Sequence, residues 1–237
     1  MDRGKILWVV FVAVLLLGVP RVAGLVASQF EYGSIDPDGA FAWITVHHIV
    51  QAIIFVCLMV GIRRVKPIPF GIGWGDREVG VRYLRVFFTY FGLYAVGMFL
   101  LITVTSSFRP FQYPLTTTNI VGQLGFQLLL SGPSEELIFR AFAITMLALA
   151  VNARIVNGRV SVANVIAAVI FGLAHVSFSF APIGMEYDAI QVIYATVLGV
   201  IYGDCYEKTD SVLYPMIMHS YTNVVMVGLT ILLSMVL

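Results

Sequence analysis

Between positions 119 and 151 the chain runs through about 33 residues of largely apolar sequence, with Glu135, Glu136 and Arg140 in the middle. At helical rise such a run is ~50 Å long, well beyond a ~30 Å hydrocarbon core. The segment must tilt, project from the membrane, or break at Gly132-Pro133, where a proline in the first turn of a second half-helix would be a natural restart. An ionised side chain at the bilayer centre costs roughly 2.5–3.5 kcal/mol on insertion scales, so three left unpaired would cost on the order of 10 kcal/mol. The cluster therefore has to face a protein interior or a water-filled cavity.

The rest of the chain supplies that interior. Of 237 residues, 59% are hydrophobic and 11% charged, against about 25% charged in a soluble domain. Mean hydropathy is +0.93. Seven apolar segments can be counted, at about 5–27, 41–62, 82–105, 119–151, 161–180, 188–206 and 211–236. They are unbroken runs near the length of a membrane-spanning helix, without the alternation of a transmembrane barrel. The fold class is all-α: a polytopic transmembrane bundle of seven spans, or eight if the fourth breaks. The first run is too long for the apolar core of a signal peptide and lacks a clear small-residue cleavage site, so it reads as a retained span. Residues 1–118 hold three spans, and residues 119–237 hold the segments that carry chemistry, within one bundle.

Loop charge orients this bundle. Loop 63–81 carries Arg63, Arg64, Lys66 and Arg77; loop 152–160 carries Arg154 and Arg159; the N-terminus carries Arg3 and Lys5. The alternate loops are poor in base, with Arg109 as the exception. By the positive-inside rule the N-terminus is cytoplasmic and the C-terminus outside. A net charge of +1 offers no basic patch for nucleic acid. Cys57 and Cys205 give neither a disulfide framework nor a metal spacing. No internal repeat marks a secondary transporter.

On a helix, Glu136 and Arg140 are four apart with the acid on the N-terminal side, the favourable order for a pair. Glu135 points about 100° away and needs another partner. His175, four after Phe171, and His219, four before Asn223, lie in later spans. If those helices pack together, Glu135, His175, His219 and Asn223 form one polar site. That inventory suits peptide hydrolysis. A buried carboxylate can take a proton from water, a histidine can orient that water, and a second histidine and an amide can donate to the oxyanion.

Glu135-Glu136-x-x-x-Arg140, Phe171-x-x-x-His175 and His219-x-x-x-Asn223, in this order and each in an apolar span, resemble the three signature motifs of the CPBP family of intramembrane proteases. That family includes type II CAAX prenyl proteases and the bacteriocin-processing or self-immunity (Abi) proteins. Leu198-Gly199-Val200-Ile201-Tyr202-Gly203 and Thr209-Asp210-Ser211-Val212-Leu213-Tyr214-Pro215 agree with it. The resemblance covers roughly 119–236; Ala141 departs from the glycine found in many members. It implies that Glu135 activates water with His175, that His219 and Asn223 stabilise the oxyanion, and that Glu136 and Arg140 hold the site in shape. Members are described both as metalloproteases and as metal-independent glutamate proteases. The chain lacks His-Glu-x-x-His, which leans toward no required metal, while Glu135, His175 and His219 leave a zinc site open.

The expected function is an intramembrane endopeptidase acting on a membrane-associated protein or peptide, lipidated or not. The alternative is a non-catalytic scaffold or immunity-type protein of the same fold. The expected partners are the bilayer and a polypeptide substrate. His47-His48 in the second span read as structural, since adjacent helical residues diverge by about 100°. Tyr202-Gly203-Asp204 lacks the first glycine and the second aspartate of an intramembrane aspartyl protease, and no Gly-x-Ser-x-Gly elbow is present.

Overall fold

Hydrocarbon offers no partner for a backbone amide, so each apolar run closes its own hydrogen bonds as a helix. In the computed structural model, which describes residues 2–180 and 183–237, the first three runs form α1 (Arg3–Ala27), α2 (Ala42–Val65) and α3 (Arg77–Val104). The fourth is α4, a continuous helical segment over 117–148. A short helix α5 (Val162–Leu173) follows, then α6 (Ala189–Thr209) and α7 (Leu213–Val236). Five of these helices, α1, α2, α3, α6 and α7, are long and apolar enough to cross a membrane. Two small antiparallel hairpins complete the described chain: β1 (Arg154–Ile155) with β2 (Val160–Ser161), and β3 (Ser177–Phe180) with β4 (Ile183–Glu186).

Two segments differ from the sequence expectation. The fourth run does not break at Gly132-Pro133. Ser131 and Gly132 keep right-handed helical dihedrals, and the preceding turn, Gln127–Ser131, widens to π-helical bonding. A wider turn accommodates a proline that can neither donate its own hydrogen bond nor tolerate the carbonyl four residues back. A second π turn, Leu137–Phe142, follows at Arg140. The fifth run, expected to span 161–180, is helical only to Leu173. Its 12 residues cover ~18 Å, about half a membrane, and the β3–β4 hairpin takes up the rest of the run.

Glycines set how closely the helices approach. A Cβ on Gly132 would stand 2.8 Å from the Ser220 nitrogen, so α4 and α7 meet backbone to backbone one turn from Glu135. A Cβ on Gly203 would overlap the Asn164 amide, which bridges α5 to α6 through the Val200 carbonyl at 3.0 Å.

Both ends of the bundle are tied by loop contacts. At one end Trp8 donates to the Met146 carbonyl at 2.7 Å, Asp76 N–H to Thr209 at 2.8 Å, and Val212 N–H to Gly71 at 2.8 Å. At the other, Asn119 donates to Asp38 at 2.9 Å and Phe111 N–H to Ser234 Oγ at 2.8 Å. Asp36 in the α1–α2 loop accepts three amides, from Ala40 at 2.8 Å and from Phe41 and Ala42 at 2.7 Å each, and so closes the start of α2. Burial raises its pKa, but the bonds from Ala42, Phe41 and Ala40 together hold it below the usual carboxylate range.

A depressed folded value means that Asp36 stabilises the protein above its unfolded pKa of about 3.9 and loses that contribution as pH falls through the folded value. Asp36→Asn is expected to lower stability at neutral pH by about 1.5–3 kcal/mol, the worth of hydrogen bonds to a charged group. The gap between wild type and variant should close as the pH falls below ~4. Melting of both proteins in detergent across pH 3–7 checks this; a gap independent of pH would contradict it.

Candidate active site

Arg140 is the largest side chain with no exposure, and Glu136 beside it is equally enclosed. Arg140 Nε lies 2.9 Å from Glu136 Oε2, without the alignment of a hydrogen bond. The guanidinium sits over the Phe171 ring at 4.7 Å and the Tyr202 ring at 5.6 Å. Its terminal nitrogens have no hydrogen-bond partner among the described residues. Ring faces carry negative potential, so the cation is held by one carboxylate and two π systems. This pair is the one expected from its i, i+4 spacing.

The other carboxylate oxygen of Glu136 does more than neutralise. Oε1 accepts from His219 Nδ1 at 2.8 Å, which fixes the tautomer and turns Nε2 toward Glu135. His219 Nε2 stands 3.8 Å from Glu135 Oε2. Tyr202 stacks on the imidazole face at 5.2 Å, and the Tyr202 hydroxyl is tied to Thr222 at 2.7 Å. Glu136 thus orients His219 as a carboxylate orients a catalytic imidazole, while Arg140 fixes Glu136.

Glu135 is turned away from that pair, as helical geometry requires, and keeps 18% of its side chain exposed. Its Oε1 lies 3.0 Å from His48 Nε2 on α2. His48 Nδ1 lies 3.0 Å from the Ile44 carbonyl. A carbonyl can only accept, so Nδ1 carries a hydrogen and the Nε2–Oε1 contact must share a further proton. His48 is thus a partner of Glu135 that motif reading set aside as structural. His47 keeps that structural role, with Nε2 at 2.9 Å from the Pro20 carbonyl. The available signal was Gln51, three residues after His48 and buried with it: two polar groups on one face of an apolar helix.

The remaining two residues are placed less directly. Asn223 donates to Ser131 Oγ at 3.0 Å, one turn before Glu135 on α4. His175 lies just past the end of α5, in a turn rather than within a span. Its Nδ1 bonds the Phe171 carbonyl at 2.9 Å, and Nε2 has no hydrogen-bond partner among the described residues. The Phe171 ring separates the imidazoles of His175 and His219, with centroids at 5.1 and 5.9 Å. His175 is within electrostatic reach of Glu135, but no hydrogen bond joins them. Four segments therefore meet here: α2, α4, the end of α5, and α7.

Glu135 Oε1 is engaged by His48, while the Nδ1–Glu136 contact of His219 leaves its Nε2 available; no three His, Cys, Asp or Glu side chains among the described residues are grouped to hold a metal ion.

Apolar helices around interior charges define an integral membrane protein. Residues 117–225 match the family model described as Type II CAAX prenyl endopeptidase Rce1-like. The match begins where α4 begins and includes all three motifs. The matched stretch is similar to the type II CAAX endopeptidases, and the match supports placing the chain with the membrane proteases of that kind at family level. No curated protein and no solved structure matched the chain.

Removing the Glu136 charge would leave Arg140 enclosed without its anion and His219 without its orienting acceptor. Glu136→Gln is expected to destabilise the fold by about 3–5 kcal/mol, the usual cost of breaking one side of a buried pair. Glu135→Gln, at a partly open site, should cost much less. Detergent melting of the two variants side by side measures the difference; equal losses would remove the structural role of the Glu136–Arg140 pair.

Proposed function

We propose that the protein hydrolyses a peptide bond within or beside the membrane, using a water activated by Glu135. The observation that supports this most strongly is the asymmetry between the two glutamates. Glu136 is fully enclosed and spoken for at both oxygens. Glu135 is partly open, with Oε2 at 3.8 Å from His219 Nε2. That separation is too long for a direct hydrogen bond and suits a single water bonded to both groups.

In this reading Glu135 takes a proton from the water as its oxygen attacks the scissile carbonyl carbon. The carbonyl π electrons move to oxygen, and Asn223 Nδ2 and His219 Nε2 donate to the oxyanion. For Nε2 to donate while Nδ1 is engaged by Glu136, His219 must carry a second proton, a charge that faces Glu136 on one side and the developing oxyanion on the other. Collapse of the intermediate restores the carbonyl, breaks the C–N bond, and returns the proton from Glu135 to the leaving amine. His175, at the end of α5, positions water or the substrate carbonyl. No step calls for a metal, and hydrolysis should persist in chelator; loss of activity restored by stoichiometric zinc would reassign Glu135, His175 and His219 as ligands.

Glu135→Gln is expected to abolish cleavage while leaving the fold intact. Asn223→Ala should lower turnover by about 10²–10³-fold, as loss of one oxyanion donor does, with substrate affinity little changed. Comparative mass spectrometry of membrane proteomes, followed by purified turnover on a substrate so found, tests both. Wild-type turnover by Glu135→Gln would leave a non-catalytic scaffold as the better reading.

His48 acts through Glu135 and is a positioning residue. His48→Phe should lower kcat by about 10–100-fold, the range for lost outer-shell partners, with KM nearly constant and the acid limb of the pH–rate profile displaced. An unchanged profile would reduce His48 to packing.

A further inference from the structure

Between α3 and α6 the surface of the bundle is split by an apolar crevice of about 550 Å³. Phe87, Phe91 and Tyr94 line it from α3, and Ile190, Tyr194 and Leu198 from α6. One end closes where Tyr83 donates to Asp204 and Phe87 meets the Tyr202 ring at 5.7 Å. Toward the other end the helices part, and Tyr94 faces Tyr194 with ring centroids 6.3 Å apart. Ile190 and Val197 on the crevice walls are exposed, so it opens to the bilayer. None of the lining residues belongs to the site around Glu135.

The dimensions select the occupant. Spread over the ~16 Å of helix from Ile190 to Ile201, that volume gives a cross-section of roughly 35 Å², less than half that of a helix 10–12 Å across. The crevice takes a single extended chain, not a transmembrane helix of a partner or of a second copy.

A bare hydrocarbon chain would leave two polar features unused. The Tyr194 hydroxyl is enclosed with no hydrogen-bond partner among the described residues, a state that costs about 1–3 kcal/mol. Tyr194 lies one and a half turns into α6, ~7.5 Å along its axis, close to the membrane–water interface that tyrosine favours. On the first turn of the same helix, Ala189 and Gln191 border a polar cleft where Arg109 stands with Glu186 and Asp188. Charges of both signs thus meet at headgroup depth.

We infer that the crevice holds an acyl chain of a zwitterionic diacyl phospholipid, its ester carbonyl accepting from Tyr194 and its headgroup in the Arg109 cleft. A modest turn of the loosely stacked Tyr194 ring brings the hydroxyl to the carbonyl. Arg109 receives the phosphate, and the acidic pair receives the ammonium. An isoprenoid hydrocarbon has no carbonyl and would leave Tyr194 unsatisfied. This site is separate from the hydrolytic reading and stands whether or not the chain cleaves peptides.

Native mass spectrometry of the full chain released from detergent, titrated with dioleoylphosphatidylethanolamine, reads the binding directly. One lipid per chain should be retained under conditions that strip further copies. The diether analogue keeps the chains and headgroup but lacks the ester carbonyl, and should bind about two- to tenfold more weakly, the worth of one hydrogen bond. Tyr194→Phe should bind the two lipids equally. Arg109→Ala should weaken the diester about two- to fivefold, as loss of an exposed ion pair does. Val197→Trp, which fills the crevice from an exposed wall position, should lose the retained lipid while melting as wild type does. Equal binding of diester and diether by wild type would overturn the inference, and that comparison needs no variant. So would undiminished retention by a folded Val197→Trp, an unchanged affinity in Arg109→Ala, or a polyisoprenoid alcohol bound more tightly than the phospholipid.

Discussion

An arginine with no exposure at the centre of an apolar bundle obliges the structure to build around it. Arg140 cannot shed its charge, so the fold must bring a carboxylate to Nε and ring faces to the rest of the guanidinium. Glu136, Phe171 and Tyr202 come from α4, α5 and α6, and their meeting at one cation fixes how those helices cross. His219 adds α7 through the second oxygen of Glu136. A network of this kind costs heavily to desolvate and rewards only a complete set of partners. It specifies one packing more than it adds stability.

That network also explains the division of labour between adjacent glutamates. Consecutive helical residues diverge by about 100°, so only one of them can face Arg140. The other faces α2, where His48 waits, and keeps access to water. Two identical side chains thus acquire different surroundings from one turn of helix: one is an enclosed anion paired with Arg140, the other a partly open carboxylate that shares a proton with His48. The π turns that flank them, at Gln127–Ser131 and Leu137–Phe142, let α4 carry a proline and a buried arginine without breaking. Such turns recur at functional sites because they re-aim side chains inside a continuous helix.

Glycine at 132 allows the close approach of α4 and α7, and the polar lining begins one turn farther out, at Gln127 and Asn223. The hydrolysis proposed above needs water at one place and its exclusion elsewhere, and α4 passes from the enclosed Met146 to the half-buried Gln123.

Much of this was legible in the sequence. Unbroken apolar runs require helices, and the i, i+4 spacing of Glu136 with Arg140 pairs those residues before any fold is known, because a helix repeats at 3.6 residues. The convergence of Glu135 with His219 was legible only as motifs in order. What tertiary structure alone decided are the contacts between helices and the points where local rules yield to packing. His48 joins Glu135 across 87 residues, a pairing with no sequence period to announce it. His175 leaves its helix because α5 ends at Leu173, although the apolar run continues to Phe180, and α4 stays whole through Gly132-Pro133. Periodicity records what a helix does to itself; the crossing of helices, which places the groups of one on the face of another, is written only in three dimensions.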